Sequence, residues 1–514
     1  MGPIVPNALD HGEGGNMDAV TVADSPLSID ELLNVAHGAC VELSPAARIS
    51  IQDSRAVVDK ALATGRAVYG LNTGLGHMSN VRLPDEDLLS IQERMLAGHA
   101  GGFGRDLPTT IVRAAMMVRI NGMARGGSGV SPAAVDILVA MLNMRVHPVI
   151  PAFGSVGAGD LGQLAHVAMV AVGKGRAEYE DEVMEGAVAL QRAGITPLTL
   201  APKDGLSLMS ANGVSIGHGA IVVSRAAEVA ELADVVAALS FESIGGNPSI
   251  VHPFVATSKP VSGQGEASRH IQALLKGSYL FDPDGPASIQ DALSFRVVPQ
   301  VHGAAREFLA LTRDSVEIEL NSRSDNPLVF EAEGTMIHNG NFHPMMMALS
   351  FDALRPALAH IGQLSERRMS HLWDAIFASS NGAPDGPPGD LFGLSLRYSA
   401  AQVFAELKQL ASPATLDCPP LDIGVEDHAT SAPLTVSKTE LALDLLEDIL
   451  AIEFLMARDV LHVAQSVRRL GEGTRAALEV IDGVLGQLPA SRSAADAHAA
   501  LRQMPRRFLF EQQE

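Results

Sequence analysis

A tyrosine, one of only four in a chain of 514 residues, leads into three glycines in Val68-Tyr69-Gly70-Leu71-Asn72-Thr73-Gly74-Leu75-Gly76. Glycines let backbone approach a ligand closely, and a phenol beside backbone donors is a candidate base whose pKa those donors lower. Gly98-His99-Ala100-Gly101-Gly102 sets an imidazole among small residues that leave room for a ligand. Gln290-Asp291-Ala292-Leu293-Ser294-Phe295-Arg296 offers an amide and a guanidinium in one short segment, and a guanidinium grips a carboxylate through a planar fork. Asn339-Gly340-Asn341-Phe342-His343 and Glu426-Asp427-His428 are further dense polar groups in a largely apolar chain. Each segment alone fits an ordinary turn, a cap or a structural ion pair equally well.

Helical stretches must hold these segments in place. Ser28 and Glu31 have capping-box spacing ahead of Leu32, Leu33 and Val35, which predicts a first helix over 28–36. Leu445, Ile449, Ile452, Met456, Val460, Val463, Val467 and Leu470 step by three and four along one face for about seven turns, with Gly471 as the expected stop. Between Ile221 and Leu239, Val222, Ala226, Val229, Ala233 and Val236 repeat that spacing ahead of Gly245-Gly246, and such small side chains suit helix packing rather than chemistry. Period-two alternation is scarce and predicts only short strands, such as 66–69 and 328–330. The expected fold is mainly α. A long-helix bundle spans 206–490 and follows a loop-rich N-terminal domain at 26–205, with a flexible arm at 1–25 and a tail at 491–514.

Composition narrows the partners. Lys and Arg total 37 against 59 Asp and Glu, a net charge of −22. Such a chain repels phosphate backbones and anionic lipid, and the densest basic cluster is only Arg502, Arg506 and Arg507, so no nucleic acid and no membrane partner is expected. Two cysteines, Cys40 and Cys418, make neither a disulfide framework nor a zinc site, and no metal is expected. The first basic residue is Arg48, which fits neither a secretory signal nor a transit peptide, and no apolar run reaches the roughly 18 residues of a membrane helix. A soluble, cytoplasmic protein is the expectation. Apolar content of 47% with 19% charged residues fits helix packing or a buried subunit interface.

Taken in order, the segments are highly specific. Tyr69-Gly-Leu-Asn-Thr-Gly-Leu-Gly76, Arg119-Ile-Asn-Gly-Met-Ala-Arg-Gly-Gly-Ser-Gly129, Gly154-Ser-Val-Gly-Ala-Gly-Asp-Leu161, Ser324-Asp-Asn-Pro-Leu328, Gly340-Asn-Phe-His343, Ser365-Glu-Arg-Arg368 and Glu426-Asp-His428 closely resemble the histidine/phenylalanine/tyrosine ammonia-lyase and aminomutase family, from about Val35 to Gly471. The aspartase/fumarase lyases, also helical, match less well because their Met-Pro-x-Lys loop has no counterpart.

The resemblance implies a homotetramer of long helices whose active sites draw on several subunits. It also implies removal of ammonia from an aromatic or imidazolyl α-amino acid by an electrophile, methylidene-imidazolone, formed when an internal Ala-Ser-Gly cyclises and dehydrates. By resemblance, Tyr69 is the base that removes the β-proton and Arg296 holds the substrate carboxylate. Asn212 and Gln290 are polar partners of electrophile or substrate, Phe342 lines the pocket, and Glu426 contacts the amine or an imidazole ring. His99 falls where histidine- and tyrosine-specific members carry a His and the phenylalanine enzymes a Leu, which implies a polar or imidazole side chain on the substrate. The Asn212 segment, 203–213, is longer between Gly and Asn than the family motif. The expected ligand is a small carboxylic or amino acid.

At the electrophile the chain departs from the family, reading Gly157-Ala158-Gly159-Asp160-Leu161 where the family has Gly-Ala-Ser-Gly-Asp-Leu. The missing serine supplies the methylene carbon, and neither Ala158 nor Gly159 has a leaving group from which to make that alkene. No methylidene-imidazolone, and no other cofactor, is expected. Leu293 is a second departure, since the family has a tyrosine between the Gln and the Arg.

Three readings stay open. The first is a lyase that works by base-assisted β-elimination from a substrate whose amine already leaves well, such as trimethylamine from a histidine betaine, an ergothionase-like reaction. The second is a conventional histidine-like ammonia-lyase that tolerates the missing residue. The third is a non-catalytic homologue that binds a carboxylate or stabilises a paralogue.

Overall fold

The computed structural model describes residues 18–504 except 66–67, 75, 79–80, 85–87, 380–390 and 465–467. Ser28 Oγ accepts the Glu31 N–H at 3.2 Å while Glu31 Oε2 accepts the Ser28 N–H at 2.8 Å. This reciprocal cap starts the Ile29–Ala36 helix where its residues predict it. Just upstream, Val20–Val22 pairs in parallel with Val41–Leu43, so ordered structure begins inside the stretch expected to be a loose arm.

Both helical stripes mark real helices, and each is longer than its stripe. The alanine-rich one becomes Gly213–Ile244, which ends at the left-handed Gly245. The other becomes Ala432–Ala464, and here the expected end is wrong. Gly471 does not stop that helix; it is the N-cap of the next, Glu472–Gly486, and its N–H donates to Glu242 Oε1 at 2.7 Å. Val467 lies outside the described residues. The tail is also partly structured, because Ala494–Gln503 is a helix anchored by Arg502 Nε on Asp448 Oδ1 at 2.7 Å. Leu328–Phe330 is a strand paired with Thr335–Ile337, whereas Val68 and Tyr69 lie in a turn and the rest of the strand expected at 66–69 falls outside the described residues.

The fold is a helical bundle with short two- and three-stranded sheets at its edges. Met345–Ser379 packs along Ala432–Ala464, which packs along Gly213–Ile244, and Val298–Leu320 packs against both Met345–Ser379 and Gly213–Ile244. From the N-terminal half, Thr109–Ala124 lies against Gly213–Ile244, and residues 111–124 are all buried, the mark of a core helix. One buried apolar cluster therefore runs from Val20 to Leu501 and takes in both halves of the chain. The stretch 204–244 has the length and hydropathy of a membrane span, but its most apolar window is 94% buried within the bundle.

A charged knot sits inside this apolar packing. Asp234, fully buried on Gly213–Ile244, takes hydrogen bonds from His302 Nδ1 (2.6 Å), His270 Nδ1 (2.9 Å) and Arg306 Nη2 (2.8 Å). Burial pushes the Asp234 carboxyl up, but the two imidazoles and the guanidinium outweigh it and hold it below the usual carboxylate range. A depressed carboxyl contributes stability that is present above its unfolded pKa and lost as pH falls through the folded one. Asp234→Ala should cost about 3–5 kcal/mol at neutral pH, read as a lower urea midpoint, because Arg306 and His302 lose their partner in a dry interior. An unchanged midpoint would contradict this.

Candidate active site

The helices Leu161–Ala171, Gly213–Ile244 and Ala432–Ala464 begin around one loop, 156–160. Asn212, the N-cap of the second helix, accepts the Gly159 N–H at 3.1 Å, and the Asp160 N–H donates to Ala211 O at 2.7 Å. From the third helix start, Ser431 N–H donates to Val156 O at 2.8 Å and Thr430 Oγ1 to Gly157 O at 2.7 Å. Helix N-termini carry partial positive charge, so their convergence favours an anion at this loop.

Asp160 supplies one negative charge there. It is fully buried and accepts Ser215 N–H (2.8 Å), Ser215 Oγ (3.0 Å) and Ser155 Oγ (2.7 Å). Burial pushes its carboxyl up, against the pull of those donors. Ser155 Oγ also accepts the Gly157 N–H at 3.0 Å, so this hydroxyl is committed to bracing the loop. Since Ala158 and Gly159 carry no hydroxyl, the residues at 157–160 do not fit the methylidene-imidazolone that the family resemblance implies.

Loops tie this centre to Tyr69 and Glu426. Asn212 Nδ2 donates to Phe342 O, and the next residue, His343, meets His428 with Nε2 and Nδ1 at 3.0 Å. His428 follows Glu426 by two residues and precedes the Thr430 contact to Gly157 by two, so the 342–343 and 426–430 segments form a ring with Asn212 and the 156–160 loop. Tyr69 Oη accepts the Gly76 N–H at 3.2 Å, and the His338 ring stands edge-on to it, with centroids 5.9 Å apart.

The phenol does not behave as its neighbouring donors suggest. Burial raises the Tyr69 pKa; the Gly76 N–H pulls it down, and the negative charges of Glu426 and Asp422 push it up again, leaving it above the ordinary phenol value. The sequence-based expectation of a lowered pKa is corrected in sign. His99 ends the Leu88–His99 helix, half-buried, with Nδ1 bonded to Met95 O at 2.8 Å. Space beside it is open, since a Cβ on Gly98 would meet nothing within 4 Å.

Gln290, Leu293 and Arg296 lie elsewhere. Ala287 N–H donates to Gly245 O at 2.7 Å, Asn247 N–H to Asp291 Oδ2 at 2.7 Å, and Arg368 Nη1 to Ser294 O at 3.2 Å. The first two contacts fasten the 287–296 segment to the C-terminal end of Gly213–Ile244 and the third ties it to Met345–Ser379, whereas Asn212 sits at the N-terminal end of Gly213–Ile244. A helix of 32 residues is about 48 Å long at 1.5 Å per residue. Within one chain the structure thus brings Tyr69, Asn212, Phe342, Glu426 and 158–160 into one neighbourhood and leaves the Gln290–Arg296 group a helix length away. Gln290 and Leu293 are exposed, Leu293 by 59%, and Arg296 has no ion pair among the described residues.

Sequence reasoning assigned nothing to Asp422 or His338. His338 borders a polar group already noted at 339–343, and Asp422 precedes Glu426 by four residues, but only the folded loops point them at Tyr69.

A family model described as aromatic amino acid lyase matches residues 27–483. A histidine ammonia-lyase from Gloeobacter violaceus is 38% identical over 473 residues, covering 91% of each chain. Among solved structures, ergothionase from Treponema denticola, in complex with desmethyl-ergothioneine sulfonic acid, superposes with a TM-score of 0.88 at 27% identity, covering 96% of this chain and 99% of that one. Tyrosine aminomutase from Streptomyces globisporus gives a TM-score of 0.88 at 28% identity, covering 96% and 98%.

Proposed function

The chain belongs to the aromatic amino acid lyase family, whose members named histidine ammonia-lyase are carbon–nitrogen lyases, and from that premise we propose that it eliminates a tertiary amine from a histidine betaine without a methylidene-imidazolone. The observation that carries this reading is the 157–160 loop, which keeps the family's Gly, Ala, Gly and Asp but has no serine from which to build the electrophile. That electrophile turns a poor amine leaving group into a good one. A quaternary trimethylammonium needs no such help, because it departs from Cα as neutral trimethylamine with the C–N electron pair.

In the proposed step the Tyr69 phenolate takes the β-proton, the C–H electrons become the Cα=Cβ bond, and the C–N bond breaks. The products are an unsaturated acid, trimethylamine and a proton that Tyr69 returns to solvent. Arg296 holds the carboxylate through its fork, and Glu426 and His99 face the cation and the imidazole-type ring. Because Arg296 stands a helix length from Tyr69 in one chain, the reading includes a homotetramer in which one subunit's Arg296 completes its neighbour's site. The likeness to ergothionase supports this choice of substrate.

A second reading, ordinary histidine ammonia-lyase activity, is favoured by the 38% identity to an enzyme of that name over 91% of both chains. Side-by-side assays on histidine and on histidine betaines such as ergothioneine decide between them. Trimethylamine release without ammonia release from histidine is the expected result, and turnover of histidine with inert betaines would reject the proposal.

A further inference from the structure

We propose that Asp422 is a positioning residue for the Tyr69 base: it sets the Gly76 amide against the phenol and places a second negative charge, beside that of Glu426, next to it. This rests on the reading of Tyr69 as the base. Its grounds are geometric. Tyr69 Oη accepts the Gly76 N–H at 3.2 Å, and the Asp422 carboxylate lies so close to Gly76 that a Cβ there would overlap Oδ2. Gly76 has φ +54, so its backbone and its lack of a side chain are both needed for the contact.

The chain around Asp422 is held in a costly conformation. Leu421 and Glu426 exchange backbone hydrogen bonds (Leu421 N–H to Glu426 O, 2.8 Å; Glu426 N–H to Leu421 O, 3.2 Å) and close a tight hairpin. Inside it Asp422 (φ +43) and Ile423 (φ +57) both adopt the left-handed region, which costs an L-residue roughly 1–2 kcal/mol each. Ile423 is 87% exposed, so burial of its side chain does not offset that cost. What the turn does achieve is to seat the Asp422 carboxylate against Gly76, with the charges of Asp422 and Glu426 both acting on the Tyr69 phenol. Among the described residues, the other groups facing the phenol are the His338 ring and, on its own turn, the Gly76 N–H.

The arrangement makes the base stronger. A phenolate near two carboxylates binds a proton more tightly, while a directed N–H keeps its oxygen aimed. The same two charges favour a substrate carrying a fixed positive charge.

Two substitutions should move the Tyr69 titration in opposite directions. It is followed through tyrosinate ultraviolet absorbance of the full-length protein, with Tyr69→Phe as the blank for the other tyrosines. Asp422→Asn removes a negative charge and should lower the Tyr69 pKa. Gly76→Ala sets a Cβ against the Asp422 carboxylate, displaces the amide donor from the phenol, and should raise the pKa, because loss of that donor outweighs any retreat of the Asp422 charge. A purely structural role would change melting temperature without this opposed pair of shifts. Titrations of both variants that coincide with wild type would overturn the proposal. The readout needs no substrate, so failure of betaine turnover would leave it standing, and a wild-type titration in Asp422→Asn would remove Asp422 without touching the lyase reading.

Discussion

Tyr69→Phe should lower kcat on a histidine betaine by about 10²–10⁴-fold, the usual contribution of a positioned general base, with KM changed only a few-fold. The substitution removes one oxygen from a half-buried ring whose contact with His338 is made by the ring itself, so binding and fold should persist. A pH signature accompanies it. The active form is the phenolate, so kcat rises with pH as Tyr69 ionises. Burial, reinforced by Glu426 and Asp422, holds that ionisation above the ordinary phenol value and places the rising limb on the alkaline side. A guanidinium from a neighbouring subunit would draw the limb back toward neutrality. Retention of wild-type kcat in Tyr69→Phe, or a profile that falls with rising pH over this range, would reject Tyr69 as the base.

Arg296→Gln should be comparably damaging, at about 2–4 kcal/mol of lost carboxylate binding, and its sharper use is in combination. Tyr69 and Arg296 are separated within one chain by the length of Gly213–Ile244. If each site takes Tyr69 from one subunit and Arg296 from another, denatured and refolded mixtures of Tyr69→Phe and Arg296→Gln chains regain both groups in about a quarter of their sites. Activity should therefore appear in the mixture that neither parent shows. A mixture as inactive as its parents would place both residues in one chain's site, against the observed geometry.

What could be read from the sequence follows the range of the forces involved. The Ser28–Glu31 cap was legible because its donors and acceptors lie three residues apart. The stripes at 221–239 and 445–470 were legible as helices because a buried face imposes its period locally, and Gly245 ends the first as its sequence predicts, but the end of the second was not legible. Gly471 resembles a stop, yet its N–H is bound by Glu242, which a distant helix delivers, and the glycine opens a helix instead. The same limit governs the site. Motif order named Tyr69, Asn212, Phe342 and Glu426, and the folded chain gathers them. The ionisation of Tyr69 was misjudged because Gly76 is its neighbour in sequence, whereas burial, Glu426 and Asp422 reach it only through the fold. The remoteness of Arg296 was invisible for the converse reason, as one short segment carries no record of which end of a long helix will hold it.

The central claim is that this lyase works without the family's electrophile. Intact mass of the purified, active protein tests it most directly, because forming a methylidene-imidazolone removes two waters from the chain. A mass equal to that of the translated sequence is the predicted result, and a mass two waters lower would contradict the account.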